Sequence, residues 1–259
     1  VRVFFSVVRS PLLLLPALIA ILANLVVFYL LLDPIVVLVS ELIAGSFLGI
    51  GFLGGNPLFF VSSFAAELLW VLVLVLVSIM INAWLGLVMA RFAQQQEQKK
   101  VQVLESTRYA IKKIPRIIAW SIFVFLIAVF FFVVLLVFSA IGEWNAIIGW
   151  ILLLLWLIIA IFTFLVFSLA IPAMGIEDCN IKKGLLHARE VIQKNLWNFI
   201  GFFIILGIVV LAIQLIGSLI ADGIVDEIIS VIIIAVFLLF QVIFSHLALP
   251  FYYLEKKQS

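Results

Sequence analysis

Six long apolar runs, separated by short polar segments, dominate the chain. They lie at about residues 11–32, 67–90, 117–141, 146–170, 199–220 and 228–249. At about 1.5 Å of rise per residue, each is long enough to cross a hydrocarbon core of about 30 Å as a helix. Two of the polar segments keep a helical period of their own. In IKKGLLHAREVIQKNL, the residues Ile181, Leu185, Ala188, Ile192 and Leu196 fall on one stripe, with Lys182, Lys183 and Arg189 off it. That pattern predicts an amphipathic helix over about 180–197, apolar side in the acyl boundary and cationic side in the headgroups. Asn180 or Asp178 is placed to cap its start. A second surface helix is expected over about 101–114, where Leu104, Ala110, Ile111 and Ile114 oppose Arg108, Lys112 and Lys113. Pro115 ends it. The segment Val1–Ser10, with Arg2 and Arg9 among apolar residues, reads as a shorter helix of the same kind.

The stretch 34–63 breaks the pattern. It is apolar but carries Glu41, five glycines (Gly45, Gly49, Gly51, Gly54 and Gly55) and Pro57. A full span through Glu41 would bury a carboxylate near the middle of the bilayer, which is costly. The segment therefore reads as an external insertion: a surface helix over Ile35–Ala44, then a glycine-rich loop or re-entrant turn. The first apolar run is longer than a signal-peptide core and is not closed by a small-x-small site, so it is expected to be a retained span.

Composition agrees with this division. With 68% hydrophobic and 11% charged residues, the chain lies far from a soluble globular domain. The lone cysteine, Cys179, has no intrachain partner for a disulfide. More informative is where the charges fall. All 15 Lys and Arg lie in the N-terminal segment, Arg91–Arg116, Lys182–Lys194 and the C-terminal tail. Six spans put those four segments on one face. The other face then holds Asp33, Glu41, Glu67, Glu143, Asp222, Asp226 and Glu227 with no base at all. The positive-inside rule makes the basic face cytoplasmic, with both termini on it, in a multi-pass cell-membrane protein. An odd number of spans would scatter the bases.

Three junctions line up: FSVVRSPLLLLPAL, RYAIKKIPRIIAWSI and REVIQKNLWNFIGFF. Each sets an aliphatic residue (Val8, Ile111, Ile192) before polar ones at the entry to a span, and two spans follow. The expectation is a threefold repeat of surface helix plus helical hairpin. The fold class is thus all-α: a single membrane domain over 1–259 with six transmembrane helices and cytoplasmic amphipathic surface helices.

The segment around 171–203 has further marks: Pro172 and Ala173 after a span, the acidic pair Glu177 and Asp178, basic positions Lys182, Lys183 and Arg189, and Lys194-Asn195-Leu196-Trp197 entering the next span. With these it resembles the second half of the membrane domain found ahead of some glycerophosphodiester phosphodiesterases. It also looks like related uncharacterised bacterial and archaeal six-span families, the YciC-like group among them. Residues 67–249 are compatible with the resemblance, which implies a prokaryotic membrane architecture. No stretch of the sequence resembles the soluble barrel that does the phosphodiester chemistry in the fused proteins. No activity is implied for the membrane domain itself.

Candidate chemistry is sparse. His187 and His246 have no second ligand at metal spacing, and no GxSxG, P-loop or HExxH occurs. Neither a catalytic site, a metal nor a cofactor is expected. Asn24, Asn82, Gln214 and Gln241, with His246 near the end of the last span, form a candidate intramembrane polar path. Interhelical hydrogen bonding, worth about 0.6 kcal/mol per bond, is the plainer role. Lys99, Lys100, Arg108, Lys112, Lys113, Arg116, Lys182, Lys183, Arg189 and Lys194 form a candidate basic collar facing lipid or a partner. No nucleic-acid-reading motif accompanies it. The expected function is non-enzymatic: engaging membrane lipids, anionic headgroups above all, or serving a membrane assembly with a membrane or cytoplasmic protein partner. A transporter or ABC-type permease subunit is the alternative.

Overall fold

The computed structural model describes residues 10–47, 65–98, 102–224 and 227–258. After a short 3-10 turn at Pro11–Leu13, these form eight α-helices: α1 (Leu14–Phe47), α2 (Ala65–Glu97), α3 (Val103–Lys112), α4 (Ile114–Trp144), α5 (Ala146–Glu177), α6 (Ile181–Lys194), α7 (Leu196–Asp222) and α8 (Glu227–Gln258). No strand occurs among the described residues. Six helices are long and apolar enough to cross a membrane, so the chain is an all-α polytopic integral membrane protein. The short helices α3 and α6 each precede a hairpin of long ones, α4–α5 and α7–α8. Val1–Arg9 and the glycine-rich part of 34–63 beyond Phe47 lie outside the described residues, as do Lys99, Lys100 and Asp226.

Several helices outrun their apolar cores. α5 has 32 residues, a length of about 48 Å against a hydrocarbon core of about 30 Å. Its last turns therefore have to be covered by protein. α8 likewise continues through Pro250 to Gln258, past the expected end of the last span at Leu249. At the other end of the chain, α1 runs through Pro34 to Phe47. The separate surface helix expected over Ile35–Ala44 is thus the last turns of the first long helix. A helix in or near lipid has no better place for its backbone polar groups, so one proline does not end it.

Chain contacts divide the structure into two compact units, Val1–Ile19 with Ala83–Ser259, and Ala20–Asn82. In the smaller unit a hydrogen bond joins α1 to α2: Ser78 Oγ donates to Asn24 Oδ1 at 2.8 Å, and Asn82 Nδ2 donates to the Ser78 carbonyl at 2.8 Å. In the larger unit, α5 packs against α4, α6 and α8, and α7 packs against α8.

The buried core of the larger unit is not in the middle of the spans. It gathers at the end where α3 and α6 lie: Leu87, Met89, Phe92 and Ala93 of α2, Leu169, Ala170 and Met174 of α5, Ala188 and Ile192 of α6, and Leu247 and Tyr253 of α8. In the most apolar window of α4 only 6% of residues are buried. Lipid tails are as apolar as leucine, so nothing drives mid-span side chains inward; at the wet end, water does. Small residues permit the close packing there. A Cβ on Gly175 would stand 2.6 Å from that of Ala90, and one on Gly86 would stand 2.8 Å from Ile171 Cγ2.

At the opposite end, α4 turns into α5, with Asn145 Oδ1 accepting from the backbone N–H groups of Ile147 and Ile148 at 3.1 and 3.2 Å. Gly149 sits here against the backbone of Gly142, and a Cβ on it would run into the Gly142 Cα. A Cβ on Gly142 would meet only an ordinary contact at 3.6 Å. Gly149→Ala should therefore destabilise the hairpin by about 1–3 kcal/mol, and Gly142→Ala much less. Thermal unfolding of both variants in one detergent checks this; equal midpoints would count against the close approach.

Candidate functional site

The site is built on an acidic doublet. α5 ends at Glu177, and Asp178 turns the chain with φ 47°. Aspartate is among the few residues that accept this left-handed backbone readily, because its short side chain bonds locally. Asp178 thus closes α5, and Asn180 alone caps α6, its Oδ1 accepting from the Lys183 backbone N–H at 3.0 Å. The turn sends the two carboxylates to two different sets of partners.

Glu177 faces the end of α8 and the flank of α6. Its Oε1 accepts a short hydrogen bond from the Tyr253 hydroxyl and lies 3.1 Å from the Lys257 ammonium. Its Oε2 lies 2.6 Å from His187 Nδ1. That ring nitrogen is buried and makes no aligned hydrogen bond, so the contact is one of proximity.

Asp178 faces the junction of α3 and α4. Its Oδ1 accepts from the Tyr109 hydroxyl at 2.9 Å and from Arg116 Nη1 at 3.1 Å, and lies 2.7 Å from the Lys113 ammonium. Burial works against its charge, and the hydrogen bonds from Lys113, Tyr109 and Arg116 outweigh that, holding the carboxyl below the usual aspartate range. Burial, and then the bond to Asp178, push the Tyr109 hydroxyl up to about 12. The Arg91 guanidinium at 5.0 Å and the Lys113 ammonium at 5.3 Å lie over the Tyr109 ring. Nearby, Gln95 Oε1 accepts from Ser106 Oγ at 2.9 Å and from the Gln102 backbone at 3.3 Å, tying the end of α2 to α3.

The predicted basic collar is therefore split. Lys113 and Arg116 are paired with Asp178 and do not face outward as a collar requires. Arg108, Lys112, Lys182, Lys183, Arg189 and Lys194 are exposed and have no ion-pair partner among the described residues. The apolar stripe of α6 also differs from expectation. Ala188 and Ile192 are fully buried against protein, and a Cβ on Gly184 would run into Met174 of α5. That face is occupied by the bundle, not by acyl chains. On α3, Ala110 is buried, but Leu104 and Ile111 are 75% and 52% exposed; at helical spacing they share the exposed side with Arg108 and Lys112 and do not oppose them as predicted.

The candidate polar path is not gathered as such. Asn24 and Asn82 are engaged with Ser78. Gln214 is exposed on the outer surface of α7, and Gln241 is half-buried on α8. His246 Nδ1 lies 2.9 Å from the carbonyl of Val242 on its own helix. No cluster of metal-ligating side chains occurs among the described residues. Burial and the neighbouring Glu177 charge raise the Cys179 thiol, which disfavours the reactive thiolate.

Sequence reasoning passed over Tyr109, Tyr253 and Lys257. The available signal was the acidic doublet itself, which stands inside an otherwise basic segment. Beside Glu177 an open cavity of about 370 Å³ lies between α6 and the end of α8, lined among others by His187, Glu190, Lys194, Tyr253 and Lys257.

The depressed Asp178 carboxyl has a pH consequence. Because its folded value lies below its unfolded one, its stabilisation is complete above the usual aspartate range of about 4 and fades as pH falls through the folded value. Asp178→Asn should lower the unfolding temperature at neutral pH and flatten the loss of stability below about pH 4. Unfolding curves across pH 2–8 test it; an unchanged acid limb in the variant would contradict the assignment.

No protein-family model, curated protein or solved structure matches the chain.

Proposed function

We propose that this integral membrane protein is a non-enzymatic membrane component whose basic end engages anionic lipid headgroups, with both termini in the cytoplasm. The observation that carries the reading is the exposed surface of α3. Leu104 and Ile111 are exposed there beside Arg108 and Lys112, which have no internal ion-pair partner among the described residues. Unneutralised bases next to exposed apolar side chains suit the boundary between headgroups and acyl chains. Lys182, Lys183 and Arg189 of α6 extend the same charge. Each base near an anionic leaflet contributes about 1 kcal/mol. Lys113 and Arg116, held by Asp178, position α3 and are not counted.

The orientation follows from the same charges. Asp178 pairs with Lys113 and Arg116, and Glu177 with Lys257, so three of the basic segments meet at one end of the larger unit. Basic ends of short-looped membrane proteins stay in the cytoplasm.

The test replaces Lys112, Lys182, Lys183 and Arg189 with glutamine together, leaving the Asp178 network intact. The variant should lose more than about tenfold in preference for anionic over zwitterionic phospholipid, read by native mass spectrometry of the detergent-purified protein. Retention of phosphatidylglycerol at the wild-type level would overturn the reading.

A further inference from the structure

The cavity between α6 and the end of α8 carries charges that the fold does not use. Glu177 is engaged by Tyr253 and Lys257, with His187 close by. Glu190 and Lys194 are different. They lie one helical turn apart on α6, both line the cavity, and neither has an ion-pair partner among the described residues, including each other. On an exposed helix face a glutamate and a lysine at this spacing commonly pair. Here a void of about 370 Å³ stands beside them. That volume lies within the range of about 300–1,000 Å³ typical of small-ligand sites. Lys256 and Lys257 line it from the α8 side, Lys257 already within 3.1 Å of Glu177.

From this arrangement we infer that the cavity binds a phosphoethanolamine group, its phosphate held by Lys194 and Lys257 and its ammonium by Glu190. A purely anionic group would leave Glu190 repelling it. A purely cationic one would meet the ammoniums of Lys194, Lys256 and Lys257. A zwitterion with its charges a few bonds apart satisfies both sides, and ammonium–phosphate contacts are the stronger kind of hydrogen bond. The Tyr253 hydroxyl and Glu177 fix the rear wall, so the end of α8 is held in place before the ligand arrives. The group is presented either by phosphatidylethanolamine from the membrane or by a soluble phosphoethanolamine. This inference rests on the lipid-engaging reading for its location at headgroup level, and it assigns a discrete site where that reading assigns a surface.

The experiment titrates delipidated full-length protein with phosphatidylethanolamine, phosphatidylcholine, phosphatidylglycerol and soluble phosphoethanolamine, counting bound molecules by native mass spectrometry. Wild type should bind one phosphatidylethanolamine about tenfold more tightly than phosphatidylcholine, whose methylated ammonium cannot donate to Glu190. Glu190→Gln should abolish that preference. Lys194→Gln should weaken phosphatidylethanolamine about tenfold, and Lys194→Arg should keep it. The arginine variant shows that any loss reflects charge and not misfolding. Competition by soluble phosphoethanolamine at equal affinity makes the free compound the source; its failure to compete makes the lipid the source. Equal binding of phosphatidylethanolamine and phosphatidylcholine by wild type, or unaltered binding in Glu190→Gln and Lys194→Gln, would overturn the site. The fourfold glutamine variant of the collar separates the two readings: its loss of phosphatidylglycerol with the phosphatidylethanolamine preference intact supports both. Loss of neither lipid in that variant removes the collar and leaves the cavity standing on its own variants.

Discussion

The basic end of the larger unit depends on two adjacent carboxylates pointing in different directions. Glu177 holds α8 and α6; Asp178 holds the α3–α4 junction. Within a membrane, apolar packing between helices has little to distinguish one partner from another, because lipid offers the same contacts. Specific association then has to come from close packing of small residues and from polar bonds where water has been excluded. At the basic end the two coincide. Gly175 and Gly86 let α2 and α5 approach, and the acidic doublet lies immediately beyond them. The left-handed turn at Asp178 is what lets one peptide step serve two sets of partners.

The two carboxylates do not contribute alike. Glu177 is only 14% exposed and Tyr253 is 1% exposed, so their bond is largely shielded from water. Asp178 is 48% exposed, and its ion pairs are screened accordingly. A buried carboxylate deprived of its donors costs more than the pair contributes when intact. The Glu177 side is therefore the stronger constraint, and Asp178 serves more to orient α3 than to hold the bundle together. That division bears on the proposed lipid contact, because α3 keeps Leu104 and Ile111 exposed with Arg108 and Lys112, as α6 keeps Leu186 exposed with Lys182 and Arg189.

The six long helices were legible in the sequence because an uninterrupted apolar run of that length has few other uses. α3 and α6 were legible from their helical period, and the clustering of bases foretold that their segments share an end. Three things were not legible. Pro34 and Pro250 read as boundaries, but each is carried inside a helix whose neighbours leave the backbone no better alternative. The stripe on α6 showed a helix with one apolar side, and periodicity alone does not say whether lipid or protein covers that side. Arg116 lies 62 residues from Asp178 and Tyr253 lies 76 from Glu177, and no local pattern links such positions.

The basic end holds together only if the end of α5 is tied to the end of α8 through Glu177 and Tyr253. A double-mutant cycle of Glu177→Gln and Tyr253→Phe, followed by unfolding in a single detergent, measures that link directly. The two changes should couple by about 0.5–3 kcal/mol. Strict additivity of the two substitutions would contradict it.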